Sequence, residues 1–241
     1  MSVGLRIEHL VAGYGETVVL DGISLDLPPG GTLAILGRNG VGKTTLLATL
    51  MGITTRHGGT IRLGDVAIEA MPVHKRARLG LGLVRQEREI FPSLTVEENL
   101  VVSALPGGWN VDAVFELFPP LKARRRNTGN RLSGGEQQML AIGRALVGGP
   151  KVLLLDEPLE GLAPVVIEAL LEALVKVRDE AGLSMILVEQ KADLALSFAE
   201  EAAVIDRGKI VYRGSSRTLM DDARLQAQLL GVGKESLQCN E

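Results

Sequence analysis

The sequence predicts an α/β protein with a parallel central sheet and a smaller antiparallel part. Three patterns support this prediction. Residues 152–155 form a continuous apolar run, typical of a parallel strand covered on both faces. Between residues 165 and 177, apolar side chains recur at three- and four-residue spacing, which indicates an amphipathic helix that Pro164 begins. Residues 5–10 and 23–27 alternate apolar and polar side chains, as half-buried antiparallel strands do.

The remaining elements follow along the chain. An apolar strand at 32–36 leads through a glycine-rich loop into a helix at 43–51, and residues 72–150 have mostly helical composition. A buried strand at 185–188, a helix at 191–199 and a hairpin around Gly208 complete the pattern. We therefore expect a single domain over residues 3–235. Its parts are an antiparallel β lobe at about 3–35 and 57–70, a helical lobe at about 87–150, and a core formed by the remainder, with a polar tail at 236–241.

Composition excludes several classes of protein. With 46% hydrophobic and 23% charged residues, the 241-residue chain has enough apolar side chains for a core. A net charge of −3 and 3% aromatic residues argue against a nucleic-acid partner. The single cysteine, Cys239, excludes an intrachain disulfide and indicates a reducing compartment. Because no apolar stretch approaches the ~18 residues of a membrane span, we expect a cytoplasmic protein that serves a membrane only through a partner.

Residues 37–44 fit the phosphate-binding pattern GxxxxGK[ST]. Glycines let the backbone wrap around an anion, whose phosphates then meet backbone amides and a helix N-terminus. Lys43 adds a positive charge, and the Thr44 hydroxyl suits Mg²⁺. An apolar strand before the loop and a helix after it favour this interpretation over an ordinary glycine turn. The candidate nucleotide-binding residues are Gly37, Asn39, Gly40, Gly42, Lys43, Thr44 and Thr45.

Two acids follow the apolar run at 152–155. A buried strand that ends in Asp156 and Glu157 can direct the first carboxylate toward Mg²⁺ and the second toward a water molecule. An apolar run followed by acids is also typical of a solvated strand end. The phosphate-binding loop favours the functional interpretation, in which Glu157 polarises the attacking water.

The stretch at 132–138, LSGGEQQ, combines a helix cap with exposed backbone amides. Ser133 and Glu136 have the spacing of a capping box. Gly134 and Gly135 in the first turn disfavour the helix by up to ~1 kcal/mol each relative to alanine, so a cap alone does not explain them. Bare amides suit an anion, but the loop at 37–44 already serves one nucleotide. We therefore expect this second N-terminus to face a nucleotide bound by another subunit.

The stretches GRNGVGKT, LSGGEQQ and LLLDEP, in this order and spacing, resemble those of the ATP-binding cassette (ABC) ATPases over nearly the whole chain. The resemblance implies a P-loop NTPase core that hydrolyses ATP with Mg²⁺. It implies that Tyr14 stacks on adenine and that Glu157 is the catalytic base. Thr44, Gln86 and Asp156 would serve the metal, and Gln86 would also link the nucleotide to a transport partner.

The resemblance also implies an assembly. Two ATPase subunits, identical or different, would pair head to tail, so that Ser133, Gly134 and Gly135 of one close over the ATP of the other. The pair would sit on integral membrane permease subunits at the inner face of the cell membrane, and a solute-binding protein would act indirectly.

Further sequence motifs narrow the resemblance to one subgroup of the ABC ATPases. IFPSLTVEENL, EGLAP and LVEQ are similar to the shorter ATPase of branched-chain amino acid importers, and RQEREIFP is shared with urea and amide importers. Gln190 stands where the wider superfamily has a switch histidine, and residues 160–163 lack its common aspartate. The branched-chain subgroup also has glutamine there, which supports the narrower resemblance. Because glutamine can donate a hydrogen bond to a γ-phosphate, Gln190 is a candidate catalytic residue.

Two other functions were considered. Residues 190–193 faintly resemble a guanine-reading NKxD motif, but a GTPase would not account for LSGGEQQ. A non-transport cassette ATPase is a second alternative, although 241 residues without heptads exclude its coiled-coil and tandem-cassette forms. The scattered histidines lack metal-ligand spacing and are expected at the surface without a metal. They are His9, His57 and His74.

Overall fold

A computed structural model describes residues 3–231. Its strands are β1 (Leu5–Tyr14), β2 (Thr17–Leu27), β3 (Thr32–Leu36), β4 (Thr55–Leu63), β5 (Val66–Ala67), β6 (Leu81–Val84), β7 (Val152–Asp156), β8 (Ser184–Glu189), β9 (Glu201–Asp206) and β10 (Lys209–Ser215). Its α-helices are α1 (Lys43–Met51), α2 (Val73–Leu79), α3 (Val96–Val101), α4 (Val111–Leu117), α5 (Pro119–Ala123), α6 (Gly134–Val147), α7 (Pro164–Ala181), α8 (Ala192–Phe198), α9 (Ser216–Asp221) and α10 (Ala223–Leu230). The predicted tail at 236–241 lies outside the described residues.

A six-stranded sheet with the order β10-β9-β3-β8-β7-β6 forms the centre of the fold. All its neighbouring strands are parallel except β9 and β10, which form the predicted antiparallel hairpin. Because β3, β7 and β8 are adjacent and parallel, the loops after their carboxyl ends meet at one edge of the sheet. That edge carries the predicted phosphate-binding loop, the two acids and Gln190.

Alternate residues of β7 pack into different cores. Leu153 and Leu155 join the cluster that contains α6, α7 and the helical lobe, while Val152 and Leu154 join the cluster formed with α1 and the β lobe. Since both faces are covered, the strand is apolar at every position from Val152 to Leu155. The prediction of an α/β fold with a doubly covered parallel strand is confirmed.

The antiparallel lobe is a four-stranded sheet with the order β2-β1-β4-β5. The predicted lobe boundary at residue 35 is corrected, because β3 pairs in parallel with β8 and β9 and is buried throughout. Strand β6 was not predicted within the mostly helical stretch, since it is short and contains Gly82. Its pairing with β7 brings it to the edge of the central sheet.

The helical lobe contains α3 to α5 and lies against α6. No helix among residues 3–231 combines the length and the hydropathy that a bilayer crossing requires. His9, His57 and His74 are exposed, as predicted, and no metal-holding group of His, Cys, Asp or Glu occurs within this part of the chain.

Candidate active site at the carboxyl edge of the parallel sheet

The phosphate-binding loop leads from β3 directly into α1. A Cβ atom on Gly37 would lie 2.4 Å from the carbonyl oxygen of Ile205, so only glycine fits there. Gly42 caps α1 with a φ of 114°, in the region that side chains disfavour, and no side chain caps this helix. The first turn of α1 therefore presents bare N–H groups toward the loop.

Lys43 is held by its own loop. Its Nζ donates to the carbonyl oxygens of Gly37 (2.9 Å) and Arg38 (3.1 Å), and it lies 3.4 Å from a carboxylate oxygen of Glu157. The side chain is only 4% exposed. A buried cation with carbonyl partners and one acid is well suited to bind phosphate as a point charge.

Thr44 and Asp156 form a second contact across the sheet edge. The Thr44 hydroxyl donates to Asp156 Oδ1 at 3.2 Å. Burial raises the pKa of the Asp156 carboxyl to about 6, and the hydrogen bond from Thr44 opposes that rise. A hydroxyl and a buried carboxylate are hard oxygen donors, so this pair fits Mg²⁺. A bound cation would also compensate for the burial of the carboxylate.

Glu157 has a strained backbone. Its φ is 45°, an uncommon value for a residue with a side chain, and its N–H donates to the carbonyl oxygen of Val188 at 2.9 Å. Gln190 Nε2 donates to Glu157 Oε2 at 2.8 Å. The end of β8 therefore fixes both the backbone and the side chain of Glu157. A carboxylate held in this way can accept a proton from a water molecule.

Most of the predicted site residues line one cavity of about 280 Å³. Its lining contains the predicted residues Asn39, Gly40, Gly42, Lys43, Thr44, Thr45, Gln86, Glu157 and Gln190. Gly37 lines the adjoining pocket with Asn39 and Gln190. Asp156 reaches the site through its contact with Thr44.

Tyr14, Ser133, Gly134 and Gly135 do not line this cavity. Tyr14 ends β1 and is 53% exposed. Ser133 caps α6 with the predicted capping box, in which its N–H donates to Glu136 Oε2 at 2.7 Å and its hydroxyl accepts from the Glu136 N–H at 3.3 Å. Within the described chain, this second glycine-rich terminus is separate from the first.

Gly135 has a packing role that the sequence did not reveal. A Cβ atom there would lie 2.7 Å from Val166 Cγ1 on α7, so the helix contact by itself favours glycine. A Cβ atom on Gly134 would approach only the end of the Arg88 side chain, at 3.2 Å. Of the two glycines, Gly134 therefore has the more adaptable neighbour, because the end of an arginine side chain can shift more easily than a valine on a packed helix.

Two acidic residues of the site were not singled out by sequence. Glu160 lines the cavity and accepts a hydrogen bond from Gln86 Nε2. Glu189 is buried at the end of β8, accepts the Leu159 N–H at 3.0 Å, and has its pKa raised by burial to about 7. The usable signals were an acid three residues after Glu157 and a charged end to an otherwise apolar strand.

Comparisons with known proteins all indicate the same family. The sequence profile of the ABC transporter family matches residues 20–160. The high-affinity branched-chain amino acid transport ATP-binding protein BraG of Pseudomonas aeruginosa is 39% identical, covering 94% of this chain and 99% of BraG. The probable branched-chain amino acid transport ATP-binding protein LivF of Archaeoglobus fulgidus is 35% identical, over 95% and 99%. The lipopolysaccharide export system ATP-binding protein LptB of Escherichia coli K12 is 31% identical, over 94% and 97%.

Solved structures share the fold. CbiO1 from Clostridium perfringens, part of the ABC transporter complex cbiONQ, superposes with a TM-score of 0.81 at 25% identity, covering 95% of this chain and 94% of that one. A dimeric ATP-binding cassette in a post-hydrolysis state, bound to ADP and Pi, superposes with a TM-score of 0.78 at 22% identity, covering 88% and 99%.

Proposed function

We propose that this chain, which belongs to the ABC transporter family and is an ATP-hydrolysing subunit, powers an importer. The proposed substrates are branched-chain or other hydrophobic amino acids. The supporting observation is the order of similarity. BraG and LivF are 39% and 35% identical to this chain, whereas LptB is 31% identical. Lipopolysaccharide export is the second candidate, because LptB matches over a similar length.

Within this proposal, the cavity binds the phosphates of ATP. The glycine-rich loop and Lys43 would hold the phosphates, while Thr44, Asp156 and Gln86 would hold Mg²⁺. Mg²⁺ supplies charge compensation for the phosphates when it is bound. Glu157 accepts the proton of the attacking water, and Gln190 keeps its carboxylate oriented through the 2.8 Å hydrogen bond.

The second glycine-rich terminus acts on a second subunit. Ser133 and Gly134 lie outside the cavity of their own chain, and a helix terminus must nearly touch an anion to stabilise it. A head-to-tail pair would bring each α6 to the ATP of the other subunit. Tyr14 would stack on adenine from the exposed end of β1. The pair would consist of two copies of this chain or of this chain and a related ATPase.

A surface groove between the core and the helical lobe is the proposed docking site for the permease. We call it the lobe groove; it measures about 340 Å³, and its lining includes Ile53, Leu83, Arg85, Glu89, Ser103, Leu105 and Ala145. Arg85 and Glu89 lie on either side of Gln86 in the chain, so the groove adjoins the segment that reaches the ATP cavity. Its apolar floor and charged rim suit an amphipathic permease helix on the inner face of the membrane.

The test is transport by the assembled complex. The chain is purified with the permease and solute-binding proteins encoded beside its gene, and the complex is placed in lipid vesicles. We expect ATP-dependent uptake of labelled leucine, isoleucine or valine, and none with a Glu157→Gln subunit. Uptake of urea or an amide instead, or a neighbouring gene set for lipopolysaccharide export, would contradict the proposed substrate while leaving the ATPase function intact.

A further inference from the structure

The segment after Gln86 has an unusual backbone. Arg88 and Glu89 are consecutive residues with side chains and have φ values of 64° and 46°. The Arg88 N–H donates to the Arg85 carbonyl oxygen at 2.9 Å, and the Glu89 N–H donates to that of Glu87 at 2.7 Å. Two left-handed residues in succession persist only where the surrounding contacts hold them. The turn therefore directs the Arg88 side chain toward one particular partner.

That partner is the helix that begins with the capping box. Arg88 Nε donates to Gln138 Oε1 at 3.2 Å, and Arg88 Nη1 donates to Gln137 Oε1 at 3.4 Å. Gln138 is only 2% exposed, and Arg88 is half-buried, so the contact is partly shielded from solvent. These two glutamines end the LSGGEQQ stretch, and neither helix capping nor phosphate binding gives them a role. The contact with Arg88 uses the side-chain oxygen of each, while Gln137 Nε2 also donates to the Gly129 carbonyl oxygen at 3.3 Å.

The same guanidinium lies beside the first turn of α6. A Cβ atom on Gly134 would be 3.2 Å from Arg88 Nη1. A cation near a helix N-terminus opposes the helix dipole, so this placement does not serve the stability of α6 alone. An anion that approaches the same terminus would offset the unfavourable interaction between the guanidinium and the helix dipole.

We propose that Arg88 is a positioning residue that orients the first turn of α6 toward the ATP of the partner subunit. It connects that turn to the segment of Gln86, which lines the cavity of its own chain. The inference rests on the proposed head-to-tail dimer and adds to it a residue that the predicted site did not contain. The Arg88 guanidinium donates to two glutamine oxygens at once and can therefore fix the orientation of α6, which a single point charge could not do.

The first experiment measures ATP-dependent dimerisation of the full chain. In a Glu157→Gln parent, which binds ATP without turning it over, Arg88→Ala is expected to weaken the ATP-dependent dimer by about tenfold, the size of a lost charge-assisted hydrogen bond. Arg88→Lys should recover part of that loss. ATP affinity of the monomer and the midpoint of thermal unfolding should stay at parent values.

A matched control is Arg125→Ala. Arg125 lies in the same lobe and pairs with Glu97, which is on α3 rather than on α6. It should leave the dimer unchanged. A dimer equally stable without Arg88 overturns this inference alone. A parent that stays monomeric with ATP overturns the proposed composite site and this inference with it.

The second experiment locates the defect within the dimer. An Arg88→Ala subunit is mixed with a Lys43→Ala subunit, each otherwise wild type. One composite site then combines an intact Lys43 with an intact Arg88, and the other lacks both. If Arg88 acts through α6 on the partner's ATP, the mixture recovers hydrolysis above that of either variant alone. If Arg88 acts through Gln86 on the ATP of its own subunit, every site remains damaged, and an absence of recovery contradicts the inference.

Discussion

Helices α1 and α6 both begin in glycine-rich turns, but only the α1 turn lines the cavity that holds the candidate site. The α1 terminus has no side-chain cap and opens into a cavity with Lys43, Thr44 and Glu157. The α6 terminus has its own cap, from Ser133 and Glu136, and lies outside that cavity. The comparison teaches that two glycine-rich termini of one chain can differ in what faces them: α1 faces a charged cavity of its own chain, and α6 is the terminus that we propose to face the ATP of a second subunit.

The two largest expected effects are both at the α1 terminus. Lys43→Ala removes a buried cation together with its charge-assisted contacts, each worth about 1.5–3 kcal/mol, so ATP affinity should fall by about a hundredfold or more. Titration calorimetry measures this directly. Lys209→Ala is the matched control, since Lys209 is exposed and pairs with Asp21 on the surface. If the Lys43→Ala variant bound ATP as tightly as the wild type, the α1 terminus would not be the phosphate-binding site.

Glu157→Gln separates binding from hydrolysis at the same terminus. The amide cannot accept the proton of water, so the hydrolysis rate should fall by about a thousandfold, within the range for loss of a general base. ATP binding should persist, since the phosphate contacts of the loop are unchanged. Phosphate release under single-turnover conditions is the measurement. A near-wild-type rate would remove Glu157 from the role of base.

Gly134→Asp tests the α6 terminus with a charge that should act across the dimer. A carboxylate beside the partner's phosphates repels them by several kcal/mol, so hydrolysis should fall by about a hundredfold while ATP affinity of the monomer is unchanged. Gly134→Ala is the control for bulk without charge. A loss of ATP binding by the Gly134→Asp monomer would place the α6 terminus in its own subunit's site and contradict the two-terminus comparison.

A change in the lobe groove should spare both termini and affect only coupling. Leu105 is 42% exposed there, so Leu105→Asp should fold, keep the ATPase rate of the isolated subunit and reduce amino acid uptake by about tenfold through loss of apolar contact with the permease. Val211→Asp, 49% exposed on β10, is the control. Uptake that is equally sensitive to both changes would argue against the groove as docking site.

The last expected effect is on stability rather than on activity and concerns Glu189, at the end of β8. Its pKa is raised to about 7 by burial, so the stability that its protonated form contributes is complete below pH ~4.5 and is lost as pH rises through about 7. Glu189→Gln keeps an acceptor for the Leu159 N–H and does not titrate. Between pH 5 and pH 8, the free energy of unfolding of the variant should therefore gain about 2 kcal/mol relative to the wild type.

Urea unfolding without nucleotide at both pH values checks this prediction. Glu16→Gln, at an exposed position, should show no such change. Parallel pH dependence in the wild type and the Glu189→Gln variant would mean that the Glu189 carboxyl titrates normally.

The sequence by itself determined the features that depend on neighbours in the chain. The turn from Gly37 to Thr44, the capping box of Ser133 and Glu136, and the doubly buried strand at 152–155 were all predicted, because loop geometry, capping and burial pattern act over a few residues. Their spacing also sufficed to indicate the family.

Only the tertiary structure decided the features that depend on residues brought together from distant parts of the chain. The order of the parallel strands places Gln190 on Glu157 and moves β3 out of the antiparallel lobe. Packing against Val166 explains Gly135, and the left-handed turn at Arg88 joins it to α6. No local pattern encodes these contacts, because each depends on where the sheet order and the helix packing bring two separate segments, and that is a property of the folded chain as a whole.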